Sequence, residues 1–395
     1  MSASPATVTR FEVREVFSPD GTISQLRVPI TRRPPAVSAG LALSRVTPLQ
    51  RRGPVDTKFD IVLVGDGYTS AQSALFHRHA RSKVAELFSV EPFRSYRDLF
   101  NVWLVDVVSR QSGVDNDPSL GVQRDTALGM GFWCGGTERL LCVNEEKAKE
   151  AAFAAPDFDQ VLALANSTKY GGAGGGVATA SGGNWKSGQV AIHELGHSIG
   201  GLADEYDSAY IGAVGVVEPE EPNATLFREE AMEAVVTKWH RWLGRPTPDG
   251  GVIGTYLGAR YNPVLYYRPS ENSIMRSLGR AYNLIGREAM VLGFYKAADP
   301  ISSATSVSKV LTRTARITVV PARPVGMPLR ISWAVDGKPV VTRPANAPTL
   351  DLAKLKLAPG RTYRITVTVV DATAWVIDAA ARAEWMKQTL TWTAR

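Results

Sequence analysis

The chain has 395 residues, 44% of them hydrophobic and 21% charged, with 45 Lys and Arg against 38 Asp and Glu for a formal charge of +7. This is the composition of a globular protein long enough for two or three domains, which excludes a disordered or fibrous chain. No apolar run approaches the length of a membrane helix, and the mild basic excess forms no dense cluster, so a membrane span and nucleic-acid binding are set aside.

In chain order, the opening MSASPATVTR has no basic region followed by an apolar one, so no signal peptide is visible. Residues 1–55 read as a small β-rich segment. Within it, FEVREVFSPDGTISQLRVPITRR predicts a hairpin with SPDG as its turn, and RRPPA breaks regular structure. A domain over 56–303 follows. It opens with a buried strand at Ile61–Val64, a helical pattern in AQSALFHRHARSKVAELF and a second buried strand in FNVWLVDVVS. That β–α–β order predicts an α/β domain. Gly65 and Gly67 lack the third glycine and the Lys-Ser/Thr pair of a phosphate loop.

Asp115, Asn116 and Asp117 lack the distal glutamate of a calcium loop and read as a solvated turn. Cys134 and Cys142 are either a short-loop disulfide or two buried thiols. The stretch KYGGAGGGVATASGGNWKSGQ is glycine-rich with a short β segment inside it. It serves either a close backbone approach or a flexible loop. TKWHRWLG, with Trp239 and Trp242, reads as a packed helix. Residues 304–395 alternate like strands in ARITVVP, LRISWAVDG, TYRITVTVVD and QTLTWTAR. Tyr363 after LAPGR has the spacing of a tyrosine corner, so this region is expected to be an immunoglobulin-like or fibronectin-like β-sandwich.

The chemistry concentrates in HELGHSIGGLADEY at 193–206. His193 and His197 are four apart, so they share one helix face and can hold one ion. Glu194 stands beside them as the general base for a metal-activated water. Gly200 and Gly201 end the helix and turn the chain back. The commonest long form of this motif has a third histidine at position 203, which here is Ala203. Asp204 is therefore the expected third ligand. Glu205 is the alternative, either as ligand or as a residue that orients a histidine. His77, His79 and His240 are not positioned by any local turn. Met275, in SENSIMRSLGR, suits a tight turn supporting the floor of the site.

These pieces resemble the metzincin-like zinc metallopeptidases named for a bacterial IgA peptidase. The resemblance rests on DIVLVGDGYT, PFRSYRDLFNVWLVDVVSRQSGVD, VAIHELGHSIGGLADEY followed by EPN, and YRPSENSIMRSLGRAYN. It implies an α+β fold with a zincin-like catalytic domain and an attached sandwich. It also implies Zn2+ held by His193, His197 and Asp204, with Glu194 catalytic and Met275 in the Met-turn. A protein or peptide substrate follows, though not IgA in particular. Tyr206 and Tyr282 are both candidates to assist the oxyanion. Export, to the medium or the periplasm, is expected on functional grounds. The rival readings are a binding or adhesion protein on an inactive peptidase scaffold, and a zinc hydrolase of non-peptide amides or esters.

Overall fold

The computed structural model describes residues 11–29, 43–207 and 216–395. The opening decapeptide and the RRPPA break lie outside the described residues. Strand β1 (Phe11–Phe17) pairs antiparallel with β2 (Ile23–Pro29). The turn between them falls on the predicted SPDG, closed by Ser18 N–H donating to Thr22 O at 2.8 Å and Asp20 Oδ1 accepting from Thr22 N–H at 3.0 Å. Asp in a turn accepts from the backbone two residues on, which is why it is favoured there.

Six strands form the central sheet: β3 (Leu43–Gln50), β4 (Phe59–Asp66), β5 (Phe100–Val107), β6 (Gln160–Ala165), β7 (Gly172–Ala173) and β8 (Ala178–Ser181). Their order is β3-β5-β4-β6-β8-β7. The four inner strands run parallel, and β3 and β7 join antiparallel at the two edges. Helix α1 (Ser73–Leu87) crosses over from β4 to β5, as the β–α–β pattern predicts. β4 and β5 are buried along their whole length because helices cover both faces. Ile61 and Leu63 face one core with Phe76 and Val84 of α1, whereas Val62 and Val64 face the other with Ala148 and Ala151 of α2 (Glu145–Ala152).

Helix α3 (Gly188–Gly200) carries the HELGH motif and shares the first core through Ile192, Leu195 and Ile199. Beyond α4 (Glu229–Ala234), Trp239 caps and Trp242 ends a single 3-10 turn, His240–Trp242. Both are buried, donating to Gly254 O and to the Glu288 carboxylate, so they pack into the interior as expected. The hairpin β9 (Tyr256–Ala259) and β10 (Asn262–Arg268) leads to α5 (Leu284–Ala297), which lies against α3.

The remaining strands are β11 (Ile301–Ala304), β12 (Arg316–Pro321), β13 (Leu329–Val335), β14 (Lys338–Val340), β15 (Thr349–Asp351), β16 (Tyr363–Asp371) and β17 (Lys387–Ala394). They form sheets β11-β12-β15 and β14-β13-β16-β17, which bury one common apolar cluster including Ile317, Trp333, Val367 and Trp392. Tyr363 Oη donates to Ala358 O at 3.2 Å, reaching back across the LAPGR bend. This unit is not loosely tethered. Tyr96 and Tyr295 both donate to Asp371, and Val376 and Met386, flanking α6 (Ala379–Trp385), enter the main core. The whole is a mixed α/β structure with several sheets. Among the described residues there is no closed barrel, and no helix is long and apolar enough to cross a membrane.

The α3–α5 contact depends on Gly293. A Cβ there would stand 2.3 Å from Ile199 O, backbone that cannot yield without moving α3. Gly293→Ala is expected to cost about 1–3 kcal/mol as overpacking, seen as a Tm a few degrees lower in a thermal melt; an unchanged Tm would mean the two helices do not meet this closely.

Candidate metal centre

The cluster is built from one helix end and the turn after it. Gly201 takes φ 59°, a left-handed value glycine adopts without steric cost. Its N–H donates to His197 O at 3.0 Å, and Leu202 N–H donates to Gly196 O at 3.2 Å. The chain thus reverses, and Asp204 returns beside the helix face it has just left. Each histidine is fixed from behind. His193 Nδ1 donates to Ile274 O at 2.9 Å, and His197 Nδ1 donates to Leu202 O at 2.6 Å. A carbonyl can only accept, so Nδ1 carries the proton and Nε2 of the neutral ring keeps its lone pair.

The two Nε2 atoms are 3.1 Å apart. Asp204 Oδ1 lies 3.3 Å from His193 Nε2 and 3.4 Å from His197 Nε2. A fourth group, absent from the sequence reading, joins them: Glu15 Oε2, 3.3 Å from His193 Nε2 and 3.8 Å from His197 Nε2. These four ligand atoms lie within 4.8 Å of one another and form a group able to hold a metal ion. Among the described residues, Asp204 Oδ1 and Glu194 Oε1 are buried with no hydrogen-bond partner.

The electrostatics favour positive charge at the centre of the group. Burial pulls the pKa of His193 and His197 down, but Asp204, with Glu15, outweighs it. His193 is raised well above its usual value and His197 to about 9. Asp204 is held well below the usual carboxylate range: burial raises it, and the two histidines lower it further. Glu194 is pushed up to about 8 by burial, then by the charge of Glu15.

Glu205 faces away from this group. It accepts from Asn223 at 2.9 Å, from Ser273 at 2.7 Å and from Asn283 at 2.9 Å, while its own N–H donates to Met275 O at 2.8 Å. It ties the returning turn to the Met275 segment. Met275 is buried under α3 at Gly196, where any side chain would collide with its sulfur. Tyr282 is fully buried and donates to Ile192 O of α3, tying the segment just before α5 to that helix. Tyr206 donates to Glu15 Oε1 instead. Tyr261 donates to Asp204 Oδ2. It stands with Arg260 in the two-residue connection between β9 and β10, both at positive φ (66° and 47°). No local pattern marks Glu15 or Tyr261 as site residues, because each arrives from a distant hairpin.

His77, His79 and His240 bond to Asp106, Tyr68 and Thr237 O respectively, outside the group. Asp115 and Asn116 accept from the backbone N–H groups of Arg124 and Gly121 as loop-closing turns do. Cys134 and Cys142 are joined as a disulfide.

The sequence profile of the family described as IgA Peptidase M64 matches residues 47–249, more than half of the chain. The chain belongs to this peptidase family. No curated protein matches it. The matched span contains α3 and Asp204 but neither Glu15, Tyr261 nor Met275.

In this M64 peptidase the group able to hold a metal opens onto a cleft of about 600 Å³, lined by Glu194, Gly174, Asp204, Glu221, Arg260 and Tyr261 among others. Gly174 explains the glycine-rich stretch before α3. It follows edge strand β7, and a Cβ there would fall 1.8 Å from Glu194 Oε2. The stretch is a close backbone approach to Glu194. Gly174→Ala should displace the Glu194 carboxyl and lower the rate of any reaction it serves by about tenfold or more, with bound metal, measured by atomic absorption, unchanged. Full activity in that variant would contradict the close contact.

Proposed function

We propose that this M64 peptidase is a zinc-dependent endopeptidase, with His193, His197 and Asp204 as zinc ligands and Glu194 as general base. One observation carries the metal: the three ligand atoms are separated by 3.1, 3.3 and 3.4 Å. Bonds of about 2.0–2.2 Å arranged tetrahedrally around zinc put ligand atoms about 3.3–3.6 Å apart. The orphaned Asp204 Oδ1 and the two Nε2 lone pairs turned inward supply a donor set of nitrogen and oxygen that suits zinc. When bound, zinc acidifies a water and polarises the scissile carbonyl.

The chain's own residues would do the rest. Ile274 O and Leu202 O hold the imidazoles in the tautomer that presents Nε2. Glu194, buried at the cleft wall with an unpartnered Oε1, accepts the proton of the attacking water and returns it to the leaving amine. Tyr261, bonded to Asp204, holds that carboxylate with Oδ1 inward. Glu205 braces the turn that delivers Asp204 and does not touch the metal. The β-sandwich supports α5 and through it the zinc helix. Export remains the expectation for an endopeptidase of this kind.

The reading is tested by mapping cuts in a diverse peptide mixture by mass spectrometry, with and without chelator. Cuts that vanish with chelator support it; absence of both cuts and bound zinc would move the protein to the binding class. Glu194→Ala should retain stoichiometric zinc and lose about 10²–10⁴-fold in turnover, and unchanged cleavage would remove Glu194 from the chemistry. Asp204→Ala should lose zinc at concentrations where Glu205→Gln still binds it, with affinity lowered by about tenfold. The reverse order would make Glu205 the ligand.

A further inference from the structure

We infer that Glu15 is a fourth protein ligand of the same metal, delivered by the β1–β2 hairpin, and that it closes the site until the hairpin withdraws. The inference rests on the peptidase reading above and adds to it a self-blocked state. Glu15 Oε2 stands as close to His193 Nε2 as Asp204 Oδ1 does, 3.3 Å in both cases. Its placement is directed. Tyr206 donates to Oε1 and turns Oε2 toward the histidines, just as Tyr261 donates to Asp204 Oδ2 and turns Oδ1 inward. Two carboxylates are thus each oriented by one tyrosine toward one point.

Four protein ligands make a closed site of the structural kind, whereas a catalytic zinc keeps one position open for water or substrate. Glu15 is the ligand able to leave. His193, His197 and Asp204 belong to one helix and its turn, but Glu15 is 178 positions from His193 on a separate two-stranded hairpin. A hairpin of two strands is marginally stable by itself. Among the described residues it meets the rest of the chain through its turn and along its strands, where β1 runs beside β7 and Arg14 donates to Cys142 Sγ at 3.5 Å. Leu278 N–H donates to Gly21 O at 2.9 Å, Lys186 to Pro19 O at 3.0 Å and Tyr170 to Ser18 O at 3.3 Å, and the Phe17 ring packs edge-on against His193. Arg14 and Glu15 themselves line the cleft beside Gly174 and Glu194. The hairpin therefore fills the part of the cleft nearest the ligands, where a scissile bond would have to lie. It also lies outside the residues matched by the family profile.

A substrate must compete with a carboxylate that is always present on the same chain, so apparent affinity for any metal-directed ligand falls by the fraction of open molecules. The test uses the full chain, stripped by chelator and reloaded with Co2+, as wild type, Glu15→Gln, Glu15→Ala and Tyr206→Phe. Circular dichroism checks that each is folded. Visible absorption reports the cobalt coordination, and acetohydroxamate serves as the probe for an open position. The Glu15 variants should bind acetohydroxamate about tenfold or more tightly than wild type, change the cobalt bands, and release metal faster to dipicolinate. Tyr206→Phe should move in the same direction by less, since it frees Glu15 without removing it. Cleavage of the peptide mixture should rise with hydroxamate affinity. Stoichiometric cobalt with identical spectra and hydroxamate affinities in all four proteins would overturn the role of Glu15 while leaving the peptidase reading intact. Failure of every form to take up Co2+ or Zn2+ would overturn both.

Discussion

Four electron-pair donors gathered in a buried pocket repel one another unless positive charge sits among them. Here they are the Nε2 atoms of His193 and His197 and one carboxylate oxygen each from Asp204 and Glu15, all within 4.8 Å. The surrounding structure is organised to keep them there. Two backbone carbonyls take the Nδ1 protons, and two tyrosine hydroxyls take the outward carboxylate oxygens. One buried glutamate, Glu205, binds the turn after α3 to the segment around Met275 through Asn223, Ser273 and Asn283. The orienting groups come from several elements, Ile274, Leu202, Tyr206 and Tyr261, so the geometry is imposed by the fold.

That imposition runs through successive layers. The sheet and α1 give α3 its floor, and α5 packs beside it on the same core, with Phe294 against Phe59 and Phe100 and Gly293 at the crossing. Helix α5 is in turn fixed from outside, by Tyr295 donating to Asp371 at the end of β16 and by Glu288 accepting from the backbone N–H of Ile377. The C-terminal sheets thus bear on the candidate metal group at two removes, through α5. An appended β unit that only captured substrate would have no need to bury Val376 and Met386 in the main core.

Much of this was legible in the sequence, for local reasons. The hairpin at SPDG, the buried strands at Ile61–Val64 and Phe100–Val107, and the late alternating strands are written as turn residues and hydrophobic period. His193, His197 and the returning Asp204 are within one helix and its turn, where spacing alone determines who can meet. Glu15 was not legible, because no rule of spacing links a residue in an alternating strand to a helix 178 positions later. Tyr261 was hidden for a different reason. A two-residue hairpin connection at positive φ is normally announced by Asn or Gly, and Arg260–Tyr261 carries neither. Tyr206 and Tyr282 could not be told apart as sequence. The structure separates them, since Tyr206 bonds to Glu15 of the candidate group and Tyr282 ties the segment before α5 to α3.

The Arg260–Tyr261 connection has a consequence for how such a chain can change over time. Holding two side-chain-bearing residues in the left-handed region costs about 1–2 kcal/mol each, and Asn-Gly in the same place would relieve most of it. The relief would remove the hydroxyl that aims Asp204 and the guanidinium that lies 3.2 Å from Glu221 at the cleft wall. Thermal robustness and a correctly aimed Asp204 carboxylate therefore compete for the same two positions. Selection for stability alone would erode the site from its hairpin tip inward, leaving HELGH intact in a protein no longer aimed to use it.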